Sequence, residues 1–325
     1  MKKILLLVLF LYAVNFLIAE LDDIDPNFYE FGARPMGMGG AFVALADKPS
    51  SIIWNPAGLC NIQNLHSFTF DNSNLLDLVN YSFLGYSYKN QENISFGIAM
   101  IYCGDDVFSE AVLFLSSAIN GKFISDNLVR LPSLADRFNF GMNLKYYSHS
   151  FGNNNDGSYI DGDGEHQISG SASGFGIDFG LQFMISENDK FGLMWRNPIN
   201  NILWNSKNDV GTAKGEYSES RAVDLIFGYA FENDKFTFSM DYDKALSSDC
   251  EDEIKTGIET KFFNKLLALR AGYSQELFTG ENRRFSFGIG FELLKIWRDT
   301  TFNFDIAYQI QETHNILRIS FDILH

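Results

Sequence analysis

The stretch SGFGIDFGLQF, residues 173–183, decides the fold class of this chain. Apolar side chains occupy every second position from 175 to 183, and glycine, aspartate or glutamine occupies the positions between them. Successive side chains of a β-strand point to opposite faces, so this alternation predicts a strand with one apolar and one polar face. The same pattern recurs in RFSFGIGFEL, residues 284–293, and in TFNFDIAYQI, residues 301–310.

Fourteen strands of this kind follow one another from residue 66 onward. We predict them near residues 66–72, 80–89, 93–103, 108–118, 136–149, 172–185, 189–197, 221–232, 235–245, 252–264, 266–275, 284–294, 300–311 and 315–324. The even number, and lengths near the ~9–11 residues of a tilted membrane-crossing strand, are typical of a transmembrane β-barrel. The fourth strand alternates poorly, and residues 120–137 after it are also compatible with a short helix. The predicted fold is therefore all-β, a fourteen-stranded antiparallel transmembrane β-barrel over residues 66–325.

The lengths of the connections between strands support the barrel. Successive connections of an antiparallel barrel lie at opposite ends. The short connections at 89–92, 186–189, 233–234 and 263–265 all belong to one end, whereas the two longest, 151–171 and 198–220, belong to the other. Short inner turns and long outer loops are features of bacterial outer-membrane barrels. A secreted β-sandwich is the alternative, but it gives no reason for this parity or for so many strands.

The first residues of the chain indicate export. Lys2 and Lys3 precede an apolar run from Ile4 to Ala19. A basic segment followed by such a run is typical of a signal peptide, which we predict at residues 1–19. The run is shorter than the ~20 residues of a spanning helix, and a retained anchor is the alternative. We therefore expect a location in the cell outer membrane of a Gram-negative-type bacterium.

Composition and spacing exclude several function classes. The 25 basic and 41 acidic residues give a net charge of −16, which argues against a nucleic-acid partner. The three cysteines show no metal spacing, and the five histidines are isolated from any recognisable nucleophile and base. The carboxylates at residues 161–165 are suited to Ca²⁺, but the run lacks a complete calcium-loop pattern, so we favour a solvated loop tip over a calcium site. We expect no enzyme activity, no cofactor and no metal.

The polar faces of the predicted strands carry charges of both signs. They are Lys145, Arg196, Lys255, Lys261, Arg270 and Arg318, together with Asp178, Asp224, Asp241, Glu259, Asp305 and Asp322. In a barrel with an apolar outer surface, these side chains line the lumen. Such a lumen either forms a water channel or holds a segment placed inside it.

The segment before the first strand is suited to that second role. The stretch FGARPMGMGGAFVALADKPSSIIWNPAGL, residues 31–59, has neither the strand nor the G-x-G-x-x-G spacing of a dinucleotide-binding loop. It is too apolar for a flexible linker. Its glycines allow sharp turns and close contact with a wall, and Asn55 with Pro56 favours a tight turn. We predict that residues 20–65 form a hatch, a plug inside the lumen.

Residues 32–59 resemble the N-terminal signature of the FadL-like outer-membrane barrels, in particular the PorV/PorQ-type branch. Asn55-Pro56-Ala57 matches the turn of the FadL hatch, and residues 257–274 resemble a hairpin that recurs in the branch. The resemblance implies a fourteen-stranded barrel with an N-terminal hatch. In transporter members, two long outer loops capture a hydrophobic molecule, which passes the hatch and leaves through a wall opening at a kinked third strand.

The resemblance implies uptake of hydrophobic compounds, such as long-chain fatty-acid-like solutes, by non-enzymatic passage past the hatch. The alternative is a PorV-like scaffold that works with a type IX secretion system and its cargo proteins, and a purely structural porin is a third possibility. The partners expected are outer-membrane lipid, a hydrophobic small molecule and, for the scaffold, secretion-system proteins.

The candidate site has two parts. The hatch part consists of Arg34, Met36, Phe42, Trp54, Asn55, Pro56 and Ala57, and an apolar lip on an outer loop consists of Ile199, Ile202, Leu203 and Trp204. We expect Arg34 to pair with an inward carboxylate, namely Asp178, Asp305 or Asp322. Phe42 and Trp54 either face a solute pocket as a gate or anchor the hatch to the wall. The lip has its own alternative, a loop that packs on the barrel rim.

Overall fold

The computed structural model describes residues 30–75, 79–90, 94–105, 107–127, 134–152, 166–209, 214–247, 250–279, 282–297, 300–312 and 315–325. The predicted signal peptide, the first ten residues of the predicted hatch and the acidic run at 161–165 lie outside these residues. Within the described residues, no helix combines the length and apolar character needed to cross a membrane.

Fifteen strands are present in the described part of the chain. They are β1 His66–Leu75, β2 Val79–Lys89, β3 Ile94–Gly104, β4 Phe108–Asn120, β5 Phe138–Phe151, β6 Ile168–Met184, β7 Asp189–Asn208, β8 Lys214–Glu219, β9 Asp224–Glu232, β10 Phe236–Ala245, β11 Glu253–Phe262, β12 Leu267–Glu276, β13 Arg284–Trp297, β14 Thr300–Ile310 and β15 Ile316–Leu324. The helices are α1 Ala33–Gly37, α2 Ser51–Trp54 and α3 Gly121–Asn127, with 3₁₀ helices at Pro56–Asn61 and Ala135–Arg137.

The strands form one antiparallel sheet that closes on itself. β1 pairs with β15, β6 pairs with β7, and β7 pairs with β9, so fourteen strands complete the ring and β8 is attached to β7. The ends meet where His66 and His325 exchange backbone hydrogen bonds of 2.9 and 2.8 Å. The predicted fourteen-stranded antiparallel barrel is confirmed. We call the end of the barrel with this junction and the short turns the inner end, and the opposite end the outer end.

One of the two long outer loops was predicted wrongly. Residues 198–220 do not form a loop, because β7 continues to Asn208 and β8 returns at Lys214–Glu219 to pair with it. Pro198 has no backbone N–H, and it is accommodated where β7 shifts register against β6. The short helix considered after the fourth strand is present as α3.

The third strand, where the family resemblance implies a kink and a wall opening, pairs regularly with both neighbours. β3 pairs without a register shift with β2 over residues 95–103 and with β4 over residues 94–104. The irregularity in this part of the wall lies between β6 and β7, where the register shifts between Ile177 and Phe179. Opposite this shift, Asn197 takes a positive φ of 55°.

The two faces of the sheet have the predicted character. Large apolar side chains such as Phe175, Phe287 and Leu84 are exposed on the outside, at 62, 54 and 57 % of their surface. Of the twelve charged residues predicted to face the lumen, eleven are buried and Lys261 is half-buried. The outer surface is therefore apolar while the inner surface holds the charges.

This distribution predicts how the protein is extracted. We expect a strand-rich, heat-modifiable protein that leaves the membrane only with detergent, because each outward apolar side chain gains roughly 1.5–3 kcal/mol when it is removed from water. Circular dichroism and the shift in gel mobility on boiling measure this. A soluble, monodisperse protein obtained without detergent would contradict a membrane barrel.

Residues 30–62 lie inside the barrel and contact opposite walls. Helix α1 packs against β12 to β15, whereas the 3₁₀ helix at Pro56–Asn61 packs against β2 to β6. The main apolar cluster joins this segment to β2, β3, β4 and β5 through buried rings and aliphatic side chains. Its largest members are Phe31, Phe42, Trp54, Phe83, Ile101, Phe114 and Tyr147.

Candidate functional site in the lumen

We call residues 30–62, the part of the predicted hatch that lies inside the barrel, the hatch segment. It approaches the wall closely at paired glycines. Gly39 has a φ of 65°, and a Cβ built there would lie 2.5 Å from the backbone nitrogen of Tyr273. Across from it, a Cβ on Gly272 would collide with the backbone of Gly39. Any larger residue at these positions would push the segment away from β12, which explains the glycines in physical terms.

Asp241 holds the next turn of the segment to β10. Its Oδ2 accepts the backbone N–H of Phe42 at 2.7 Å and that of Val43 at 2.9 Å. One carboxyl oxygen thus satisfies the backbone N–H groups of two successive residues of the segment. Asp241 therefore fixes the position of the Phe42 side chain.

The Asn55-Pro56-Ala57 turn joins the two halves of the segment to β6. Asn55 Oδ1 accepts the N–H of Ala57 at 3.1 Å, while Nδ2 donates to the carbonyls of Val43 and Leu181, both at 3.0 Å. Pro56 opens the 3₁₀ helix, where its missing N–H is not needed. On the wall, a Cβ on Gly180 would collide with Asn55 Oδ1.

Trp54 and Phe42 pack on each other inside the apolar cluster. Their ring centroids lie 6.0 Å apart in an edge-to-face arrangement, and Trp54 Nε1 donates to the carbonyl of Phe31 at 2.7 Å. Trp54 is 2 % exposed and Phe42 is 0 % exposed. Neither ring has a free face for a solute in this conformation, so the geometry supports the anchoring role. Met36 lies apart, in a small cluster with Ala33 and Ala307.

Arg34 is buried and lies among three carboxylates. Its guanidinium contacts Asp47 at 2.9 Å and Glu259 at 3.1 Å, with Glu232 at 3.9 Å. Burial alone would lower the pKa of Arg34, but Asp47 and Glu259 outweigh burial and raise this pKa well above its usual value. The side chain therefore stays charged and joins α1 to the hatch turn and to β11.

The expected partners of Arg34 were wrong, although the expectation of an inward carboxylate was correct. Each of the three named carboxylates pairs with another cation: Asp178 with Lys145 at 2.6 Å, Asp305 with Arg270 at 2.6 Å and Asp322 with Lys48 at 2.5 Å. Lys48 belongs to the hatch segment, and Asp322 with Asp305 raises its pKa against the opposing effect of burial. The segment thus makes two separate ionic contacts with the wall.

A third ionic contact lies toward the outer end. Glu30 contacts Lys255 at 3.1 Å and Arg284 at 3.0 Å. Burial would raise the pKa of Glu30, but Arg284 and Lys255 lower it to about 2. Since Arg284 begins β13 at the outer end, the described segment starts near that end. Its position before the first strand, which begins at the inner end, would have predicted a start at the inner mouth.

The cavity between the hatch segment and the inner end of the barrel is polar. It has a volume of about 180 Å³ and is lined by five basic and five acidic side chains, including Arg34, Lys48, Glu259 and Arg270. A cavity with this lining offers water and ions better contacts than it offers an apolar solute. The apolar part of the lumen lies instead where the segment packs against β2 to β5.

The predicted lip does not form one surface. Its four residues lie on β7 and alternate between the two faces of the strand, because the loop assigned to them is a strand. Ile202 is fully buried and Trp204 half-buried on the lumen side, whereas Ile199 and Leu203 are exposed by 55 and 53 %. The Trp204 ring stacks on the His149 ring, with the centroids 5.7 Å apart and an angle of 21° between the ring planes.

Sequence reasoning missed several wall residues that hold the segment. Gln182 donates to the carbonyl of Val43 at 3.1 Å, and Asn143 donates to that of Ile52 at 2.7 Å. In the sequence, such a residue is marked by a polar side chain at an inward position close to an inward glycine, as Gln182 is to Gly180. The pattern identifies such residues only once the path of the segment is known.

Comparison with known proteins identifies the fold. No family model and no curated protein matches the sequence. The toluene transporter TbuX of Ralstonia pickettii matches with a TM-score of 0.59 and 14% identity over 92% of this chain and 100% of its own. The toluene transporter TodX of Pseudomonas putida gives 0.57 and 15% over 94 and 98%. A FadL homologue of Pseudomonas aeruginosa gives 0.51 and 10% over 90 and 97%.

These likenesses define the class of the fold. The chain is a closed barrel with the fold of these solved structures, and the match extends over nearly the whole length on both sides. At such low identities the likeness concerns the fold, so function is argued from the lumen.

Proposed function

We propose that this chain is an outer-membrane channel that takes up hydrophobic compounds by passage past the hatch segment, with no bond chemistry. The observation that carries the proposal is the apolar side of the outer lumen, which extends from Trp204 near the outer end to Trp54 on the segment. A water-filled porin has a polar lumen and gains nothing from such a lining.

The division of the lumen supports this function. Apolar side chains face β2 to β5, while the ionic contacts of Arg34, Lys48 and Glu30 lie on the side of β11 to β15. A hydrophobic solute gains free energy only on the apolar side, and the ionic side holds the segment. Passage then requires displacement of the apolar contacts of the segment, while its ionic contacts keep it in the barrel.

The outward apolar face supports a location in the outer membrane with lipid as the surrounding partner. The solute class is hydrophobic, with two candidates. The family resemblance suggests long-chain fatty-acid-like compounds, and the titles of the similar solved structures suggest toluene or another small aromatic hydrocarbon.

We also propose a place in the PorV/PorQ-type branch, on the N-terminal signature at residues 32–59. That signature also suits a scaffold for a type IX secretion system. The similar solved structures are titled channels and transporters, so we propose transport ahead of the scaffold.

Uptake by cells that lack other transporters of this kind tests the proposal. We expect labelled toluene or a long-chain fatty acid to enter faster than in cells with an empty vector, with no gain for a small sugar. Ile202→Thr is expected to lower uptake because it places a hydroxyl in the apolar lumen, whereas the adjacent Leu203→Thr, on the outer face, leaves uptake unchanged. A folded wild-type barrel that admits neither probe would remove transport and favour the scaffold.

A further inference from the structure

An ion pair bridges two parts of the barrel wall on the lumen side, near the outer end. Arg221 lies in the connector at residues 220–223 between β8 and β9, and its Nη2 contacts Glu110 Oε1 on β4 at 3.1 Å. β5, β6 and β7 stand between β4 and β9 in the barrel. Because Asn200 of β7 binds the connector, the contact bridges the arc from β4 to β7 on the lumen side of the wall.

The pair is shielded from water. The Arg221 side chain is 3 % exposed and the Glu110 side chain 14 % exposed. On its other flank, Arg221 Nε lies 3.9 Å from Glu219 Oε1, and Glu219 also accepts the indole N–H of Trp204 at 2.6 Å. A charge pair removed from water at this point is screened less by salt than a surface pair.

The pair lies over the apolar side of the lumen. Glu110 is the register partner of His149, and the next inward layer is Val112 with Tyr147. The His149 ring stacks on Trp204 at 5.7 Å and on Tyr147 at 6.2 Å. By strand register Glu110 is level with His149 and Trp204, so a solute that enters from the outer end meets the ion pair at this level, before it reaches Tyr147.

The connector that carries Arg221 is held without a strand ladder. Backbone pairing of β7 stops after Arg196 and Asp224 and resumes at Ile202 and Glu219. Between these points the Asn200 side chain bridges both backbone groups of Arg221, at 2.5 and 3.2 Å. Among the described residues, Arg221 belongs to no strand pair, and the connector makes a backbone–backbone hydrogen bond only at Val223, whose carbonyl accepts the N–H of Leu246 at 2.8 Å.

We propose that Arg221 and Glu110 form an ionic latch that closes the outer mouth of the lumen, and that opening this latch admits the solute. The inference rests on the proposed function, since it assigns the entry gate of that passage.

Two measurements on full-length protein test the latch. The first is the initial uptake rate of labelled toluene and of a fatty acid in Arg221→Gln, Glu110→Gln and the double variant. The second is maleimide labelling of Cys103, which is buried with its Sγ 3.9 Å from Glu110 Oε2, in a background with Cys60→Ser and Cys250→Ser. Labelling reports access to the mouth whether or not a solute is transported. Heat-modifiability shows that each variant is folded.

We expect both single variants to raise uptake and labelling by about three- to tenfold, as expected when a partly buried charge pair no longer favours the closed state. The double variant adds no further increase, because either change already removes the pair. Arg221→Lys keeps the charge and stays near wild type. Lys265→Gln, which removes the exposed pair with Asp234 at the inner end, is the matched control and changes neither readout.

The outcomes separate the latch from the proposed function. Faster labelling with no uptake in any variant, wild type included, supports the latch and refutes transport. Unchanged labelling and uptake in both single variants overturns the latch, even when the wild type transports. Slower uptake with unchanged labelling also overturns it, because Arg221 would then act by contact with the solute.

Discussion

Replacement of Arg34 by alanine is expected to loosen the hatch segment and let small hydrophilic solutes through the barrel. The change removes the cation that joins Asp47 to Glu259, whose side chain is only 1 % exposed. Removing one partner of a buried ion pair costs about 3–5 kcal/mol. We expect the low end of this range, because Arg270 still contacts Glu259 at 2.6 Å.

Single-channel conductance and sensitivity to a hydrophilic antibiotic measure the effect. Both are expected to rise in Arg34→Ala, while heat-modifiability stays, since no strand pairing involves this residue. Arg34→Lys keeps one charge but not the fork that reaches two carboxylates, so it is expected to be intermediate. Lys265→Ala, at the exposed inner turn, is the control. Conductance and leakage equal to wild type in Arg34→Ala would show that the ion pairs do not hold the segment.

The barrel was predictable because strand alternation is a local property. In residues 173–183 each apolar position that was assigned to the outer face is on that face, and Asp178 is buried as expected. The alternation continues from strand to strand, and it is required by a sheet with lipid on one side and a filled lumen on the other. The sequence therefore identifies the face of the sheet on which each residue lies, without any knowledge of which strands are adjacent in the barrel.

The partners within the lumen were not predictable in the same way. Alternation shows that Glu259 and Asp322 both face inward, but not which of them the hatch segment reaches. Arg34 meets Glu259 because α1 packs on β12 to β15 at a particular depth, where Gly37 lies against Gly288 and Gly39 against Gly272. The choice of partner is therefore a property of the path of the segment.

The extension of β7 was missed for a different reason. Pro198 and the polar pair Asn200 and Asn201 interrupt the apolar pattern, so the stretch reads as a loop. In the structure Asn200 replaces ladder bonds by binding the connector at Arg221. A stretch in which polar side chains replace backbone pairing therefore has the composition of a loop although it is part of a strand.

Replacement of Trp54 by alanine is the sharpest test of how the segment acts. Truncating a buried aromatic side chain costs about 3–5 kcal/mol, and here it also removes the hydrogen bond to Phe31 and the contact with Phe42. Because the ring lies within the apolar cluster, we expect the segment to loosen and polar solutes to leak while the barrel still assembles.

The two roles of Trp54 predict opposite results in one strain that lacks other transporters of this kind. If the ring anchors the segment, Trp54→Ala leaks a hydrophilic antibiotic whether or not a hydrophobic probe is present, and Trp54→Phe, which keeps most of the buried surface, leaks less. If the ring forms part of a solute pocket, probe uptake falls and no leak appears. Phe278→Ala, at a loop position that is 77 % exposed, controls for the loss of an aromatic ring. Since both faces of Trp54 are covered in the structure, we expect the leak, and uptake loss without leakage would show that the segment opens around Trp54 to bind the solute.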